Sequence, residues 1–254
     1  EQERLGEPEA GIALARQGLE AARRQGLREM EGLFLNTLSS LAELQGDVVA
    51  GLNCDLEHLQ ICREVGNRRD ESNALVNVGN SFLSFGEHDQ ARSFMEEGLR
   101  LARALGNRAG QANVLFSLSI LALRQGDPGA AASHAQASLD MALAMQDPEY
   151  EFWGRFCLAN AKLELGQLAD AEADFERARA FAATPAGLWI LDALTGLARL
   201  ALARNEVDAA LTWLNEPLAR LAEGSALDGA ESPMRVLLTC HRALDAAGDL
   251  RAGD

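Results

Sequence analysis

Three side chains able to do metal or nucleophilic chemistry stand close together in the sequence: Cys54, His58 and Cys62. A spacing of four puts all of them on one side of a helix. Two thiolates and an imidazole are chemically sensible zinc ligands. Two arguments weigh against a metal. A structural zinc needs a fourth ligand, and groups at i, i+4 and i+8 splay along about 12 Å of helix. Cysteine is also a common small core residue, so the trio reads as packing. The single lysine, Lys162, lies in NAKLELG and not in a phosphate-binding loop. HExxH, GxSxG and the dinucleotide glycine fingerprint do not occur. The sequence therefore predicts no catalytic residue, no metal and no cofactor. Arg199, Arg235 and Arg242 collect toward the C-terminal end, where they can clamp a carboxylate.

The composition limits what kind of protein can carry these residues. The chain has 254 residues, 38 acidic and 23 basic, for a formal net charge of −15. A disordered chain would not be 48% hydrophobic. A nucleic-acid binder needs a basic footprint, and an anionic membrane surface would repel this one. No apolar run approaches the roughly 20 residues that cross a bilayer. The first ten residues, EQERLGEPEA, lack the basic and apolar regions of a signal peptide. The four cysteines have neither CxxC nor dense spacing, which fits reduced thiols in a cytoplasmic protein. Aromatics are only 5%, so the core must be built mostly from Ala and Leu.

The elements that must position any site are repeated. RLGEPEAG at Gly6, LQGDVVAG at Gly46, SFGEHDQA at Gly86, RQGDPGAA at Gly126 and ELGQLADA at Gly166 align at steps of 40 residues. Asn205 in ARNEVDAA follows one residue short of register. A second series runs halfway between, through Gly26, Gly66, Gly106 and Gln146. A break every 20 or so residues predicts helices of about 16–18 residues, each about 25 Å long. Gly or Asn just past a helix supplies its left-handed cap. The Asp, Glu or Pro that follows suits the next N-terminus. Between breaks the apolar period is helical, as in Leu75, Val78, Phe82 and Phe85. Small residues recur at fixed offsets from the turns. Ser39, Gly79, Ser119, Ala159 and Ala198 lie seven before them, and Gly51, Ala91, Ala131, Ala171 and Ala210 five after. Two helices pack closely only where neither is bulky at the crossing.

This pattern resembles the tetratricopeptide repeat, with VNVGNSFLSFGEHDQARSFMEEGL (Val76 to Leu99) as its clearest copy. A HEAT or armadillo array shares a period near 40, but the Leu-small pair fits tetratricopeptide helices better. The period and the connector LGNRAGQA (Leu105 to Ala112) resemble the longer-helix variety of bacterial multidomain ATPase- or cyclase-type regulators and Pins-type scaffolds. The resemblance implies an all-α, right-handed solenoid of antiparallel helix pairs. It would span residues 1–254 as one array of about six repeats, with turns near Gly6, Gly46, Gly86, Gly126, Gly166 and Asn205. The first complete helix is the second of a pair, so further protein is expected upstream of Glu1.

In the resembling family the first helix of each repeat lines a concave groove. Carried onto this sequence, the groove positions include Asn36, Asn73, Asn80, Asn113, Phe116, Trp153, Phe156, Asn160 and Arg199. Asn is a poor mid-helix residue, so five at these positions call for an account. An amide offers one donor group and one acceptor and can hold a partner's extended backbone whatever its sequence. Ser40, Ile120 and Arg199 interrupt a continuous Asn ladder. The expected partner is a peptide, a protein or an effector domain of the same chain, with no nucleic acid, no membrane and an oligomeric state left open. A solenoid sensing a sugar or metabolite, with Trp153 stacking on it, is the alternative reading.

Overall fold

The structure, a computed structural model, describes residues 2–182, 189–223, 227, 230 and 232–249, with side-chain environments from residue 9 onward. The described residues form thirteen α-helices and no strand. In order they are α1 (Gln2–Gln25), α2 (Arg28–Leu44), α3 (Val48–Val65), α4 (Arg68–Ser84), α5 (His88–Ala104), α6 (Arg108–Arg124) and α7 (Pro128–Met145). There follow α8 (Pro148–Glu164), α9 (Leu168–Ala182), α10 (Ile190–Ala203), α11 (Val207–Trp213), α12 (Asn215–Ala222) and α13 (Pro233–Ala246).

The breaks follow from backbone sterics. Gly46, Gly86, Gly126 and Gly166, with Gly26, Gly66 and Gly106 between them, all take positive φ, from 62° to 78°. Gln146 (φ 54°) and Asn205 (φ 60°) do the same without being glycine. The next helix is then capped from outside. Asp47, Asn67 and Asp127 accept from the backbone N–H three residues on, and Asp147 accepts from those of Glu149 and Tyr150. Pro128 and Pro148 fill the first turn, where a missing N–H costs nothing.

Two expectations need correcting. Gly6 is not a turn: α1 runs helical through it from Gln2 to Gln25. The helix expected after Asn205 is also broken in two, α11 and α12. Pro217 has no N–H to donate, and its ring conflicts with the carbonyl four residues back, on Trp213, where α11 ends.

The chain divides into two compact units, residues 1–121 and 122–254. In the first, α1 packs on α2, α2 on α3, α3 on α4 and α4 on α5. Leu35, Leu38, Leu59, Ile61, Leu75 and Val78 fill the spaces between them. In the second, α7 packs on α8, α8 on α9, α9 on α10, and α10 on both α11 and α13. Its core is more aromatic, with Phe152, Phe156 and Phe175 beside Leu197 and Leu200.

Ion pairs in the first unit keep the same period as the turns. Arg23 pairs with Glu57, and 40 residues on Arg63 pairs with Glu97. Arg28 pairs with Glu31, and 40 residues on Arg68 pairs with Glu71. Glu31 and Glu71 are buried at the start of their helices, where a carboxylate also meets the positive end of the helix dipole.

Between α7 and α8 a helical glycine comes up against the neighbouring backbone itself. A Cβ on Gly154 would lie 3.0 Å from Leu139 Cα and 3.1 Å from its backbone N. By contrast, a Cβ on Gly51 would meet nothing nearer than Glu43 Cγ at 3.5 Å, an ordinary contact. The two glycines therefore predict opposite outcomes. Gly154→Ala forces helices apart and should cost about 1–3 kcal/mol. Gly51→Ala removes a mid-helix glycine and should gain up to about 1 kcal/mol. Chemical denaturation of both variants reads the difference, and equal signs would contradict the packing.

Candidate functional site

The asparagines separate into those already bonded and those left open. On α4, Asn73, Asn77 and Asn80 recur at i, i+4 and i+7, which is one helix face. Asn73 is exposed and Asn80 half-buried. Asn113 is half-buried and holds in α6 the place that Asn73 holds in α4, 13 residues before its turn glycine. None of these three amides is hydrogen-bonded to another described side chain. Asn36 differs, because its Oδ1 accepts from Asn77 Nδ2 at 2.9 Å. Sequence reasoning passed over Asn77. It falls nine before the turn, one step off the expected register, although its i+4 spacing from Asn73 was visible.

In the second unit the expected groove residues turn inward. Phe156 is a core residue, 3% exposed, and it meets Phe152 and Phe175. Asn160 is also buried. Its Nδ2 donates to the Phe156 carbonyl at 2.8 Å, and its Oδ1 accepts from Arg199. Neither is open to a partner, which corrects both assignments. The cause is α10, whose Arg199 reaches across to Asn160 and to Glu164 at 2.8 Å. Trp153 is half-buried, edge-on to Phe152 and tilted against Trp189 at 5.7 Å, so its ring is engaged by other aromatics. Phe116 is half-buried on α6.

Arg199 is more than a strut. Burial, first, and then the charges of Arg235 and Arg242 push its guanidinium below its ordinary value, while Glu164 opposes them. The three arginines collected in the sequence are thus close enough in space to repel one another. Leu163, Glu164, Arg199, Leu202, Ala203, Thr239 and Arg242 line a cleft of about 350 Å³ between α8, α10 and α13.

Cys54, His58 and Cys62 share α3 with a more informative residue, Asp55. Nine residues after its turn every later repeat buries an apolar side chain completely: Met95, Ala135, Phe175 and Leu214. Asp55 occupies that place in α3 and is equally buried. Its Oδ2 accepts from Ser81 Oγ at 2.8 Å, and its Oδ1 has no partner. Burial pushes its carboxyl above the ordinary value, against the hydroxyls of Ser39 and Ser81. His58 is buried too, with Nδ1 unpartnered. Burial pushes its imidazole down, against the charge of Asp70. Burial raises Cys62 to about 11, so it stays a thiol near neutrality, unsuited to metal or nucleophilic work. Among the described residues no group of three His, Cys, Asp or Glu is placed to hold a metal. No helix among them is long and apolar enough to cross a membrane.

A tetratricopeptide repeat family model matches residues 29–104 and 70–144. No curated protein matches the sequence. Among solved structures, a Rap protein complexed with competence and sporulation factor is 14% identical with a TM-score of 0.73. That match covers 88% of this chain and 62% of the other. NprR in complex with its cognate peptide NprX is 14% identical with a TM-score of 0.70, covering 94% of this chain and 69% of that one. BtubC from P. vanneervenii is 15% identical with a TM-score of 0.68, covering 85% and 92%.

The buried carboxylate yields a pH prediction. Because Asp55 titrates above its ordinary value in the fold, its protonation favours folding. That contribution is complete at pH below the unfolded value and is lost as pH rises through the folded one. His58 works in the opposite sense: its contribution is present above its ordinary 6.5 and is lost as pH falls. Asp55→Asn keeps an acceptor for Ser81 and removes the buried charge. At neutral pH it should raise stability by about 1 kcal/mol or more, and the gain should fade as the solution is acidified. Urea denaturation of parent and variant at each pH cancels His58, and no gain at neutral pH would refute the account.

Proposed function

Because the chain belongs to the tetratricopeptide repeat family, we propose that it is a partner-binding module that holds an extended peptide segment on its α4–α6 asparagines. One observation carries this reading: Asn73, Asn80 and Asn113 sit mid-helix with amides that no described side chain satisfies. Asn there costs helix propensity, and a bound backbone, which offers both N–H and C=O, returns hydrogen bonds for it. Asn36 and Asn77, bonded to each other, hold the neighbouring edge of the face in place. The crystallised complexes of a Rap protein with competence and sporulation factor and of NprR with NprX support a peptide as the ligand class.

The partner is a separate polypeptide or an effector domain of the same protein, and the module acts as the regulatory part of a bacterial signalling or transcriptional regulator. The four cysteines are free, as suits a cytoplasmic setting. Binding, not catalysis, is the activity. The sugar-stacking alternative loses its main support, since the Trp153 ring is occupied by Phe152 and Trp189.

Selection of unstructured peptides from a displayed library against the intact chain tests the reading. Peptides enriched on the parent should bind the Asn73→Ala, Asn80→Ala, Asn113→Ala triple variant at least about fivefold more weakly, the effect of one lost hydrogen bond. No enrichment, or enriched peptides indifferent to the triple variant, would refute it.

A further inference from the structure

The cleft between α8, α10 and α13 is built in a way the peptide reading does not require. Arg235, Thr239 and Arg242 recur on α13 at i, i+4 and i+7, so one face of that helix carries all three. The core side of the same helix is fixed by Val236, Cys240 and Ala243, packed with Leu191, Ala198 and Ala201 of α10. The arginines are therefore held toward the cleft by the packing. Arg199 is anchored from the other side by Asn160 and by Glu164, and its side chain is 22% exposed. Among the described residues neither Arg235 nor Arg242 has an ion-pair partner. Among the described residues Glu164 is the one acidic residue lining the cleft.

The charge balance selects a ligand. Among the described residues, Arg199 and Arg242 in the cleft, with Arg235 close enough for its charge to act on Arg199, stand against the one carboxylate of Glu164 and leave two positive charges uncompensated beside walls that include Leu163, Leu202 and Ala203. Although the chain has a net charge of −15, among the described residues only Arg199 of this cluster has an acidic partner. A monocarboxylate would balance half of the excess. A dianion with several acceptor oxygens balances all of it and can accept from more than one guanidinium fork. We propose that this cleft binds a phosphoryl group, with Arg199 and Arg242 donating to its oxygens and Arg235 supplying further positive charge. The mutual repulsion that lowers Arg199 is relieved when the anion arrives, so binding also stabilises the second unit. The phosphoryl group belongs to a free phosphorylated metabolite or to a modified side chain of a bound polypeptide; the recognising chemistry is the same. The site does not depend on the asparagine face.

Calorimetric titration of the full chain with inorganic phosphate, at matched ionic strength, tests the proposal. Phosphate should bind saturably, and acetate at least about tenfold more weakly. Arg242→Gln and Arg235→Gln each remove a guanidinium outside the core and should weaken phosphate roughly tenfold, with circular dichroism confirming that the helices remain. The asparagine triple variant should bind phosphate as the parent does, so failure of the peptide reading and failure of this one are separable. A phosphoserine peptide that binds more tightly than free phosphoserine identifies a modified polypeptide as the source, and equal binding identifies a free metabolite; both support the site. Acetate binding as well as phosphate, or phosphate affinity unchanged in both arginine variants, would overturn it.

Discussion

The closeness of adjacent helices governs this molecule. Where α7 and α8 cross there is no room for a methyl group on Gly154. The crossings within each helix pair are kept by Ala91, Ala131, Ala171 and Ala210, all fully buried. Helices that approach this far bury their flanks on both neighbours, so only a narrow strip of each remains to face out. The residues on that strip are few, and they are where function can reside. The same constraint explains a hydrophobic share of 48% with only 5% aromatics: a large ring fits where a glycine faces it, as Gly196 faces Phe175.

How far this was legible depends on the range of the forces involved. The helix ends are written locally. A left-handed residue favours Gly or Asn, and a cap favours Asp or Asn, so Gly46 with Asp47 and Gly126 with Asp127 and Pro128 identify themselves. Gly6 shows the limit of that logic, since the motif is the same but the helix continues through it. The site was legible only in part. Asn73, Asn80 and Asn113, the residues of the proposed site, come from repeat offsets carried over from the resembling family. The fate of Asn160 is decided by Arg199, 39 residues away, and no local pattern reports that a neighbour's long side chain will claim an amide. Phe156 turned inward for a related reason, because Phe175 on the next helix offers it a ring to pack on.

Charge follows the repeat as closely as apolarity does. The pairs Arg23–Glu57 and Arg63–Glu97 are one arrangement used twice, as are Arg28–Glu31 and Arg68–Glu71. At the next step Gln111 stands where the acid would be and donates to the Ala102 carbonyl instead. Glu31 and Glu71 therefore fasten the starts of their helices. Against that background Arg235 and Arg242, without an ion-pair partner among the described residues, stand out.

Asp55 has a consequence for how the first unit comes apart. In a repeat array stability is a sum over neighbours, and unfolding can begin wherever one link is weakest. A carboxylate with an unpartnered oxygen, set where later repeats hold Met95 or Phe175, makes α3 such a link. Amide protons of α2 to α4 should then exchange through a partial opening that spares the α8–α10 core. A ligand held on Asn73 and Asn80 of α4 would sit beside that link, so an opening there would release it while the α8–α10 core stays folded.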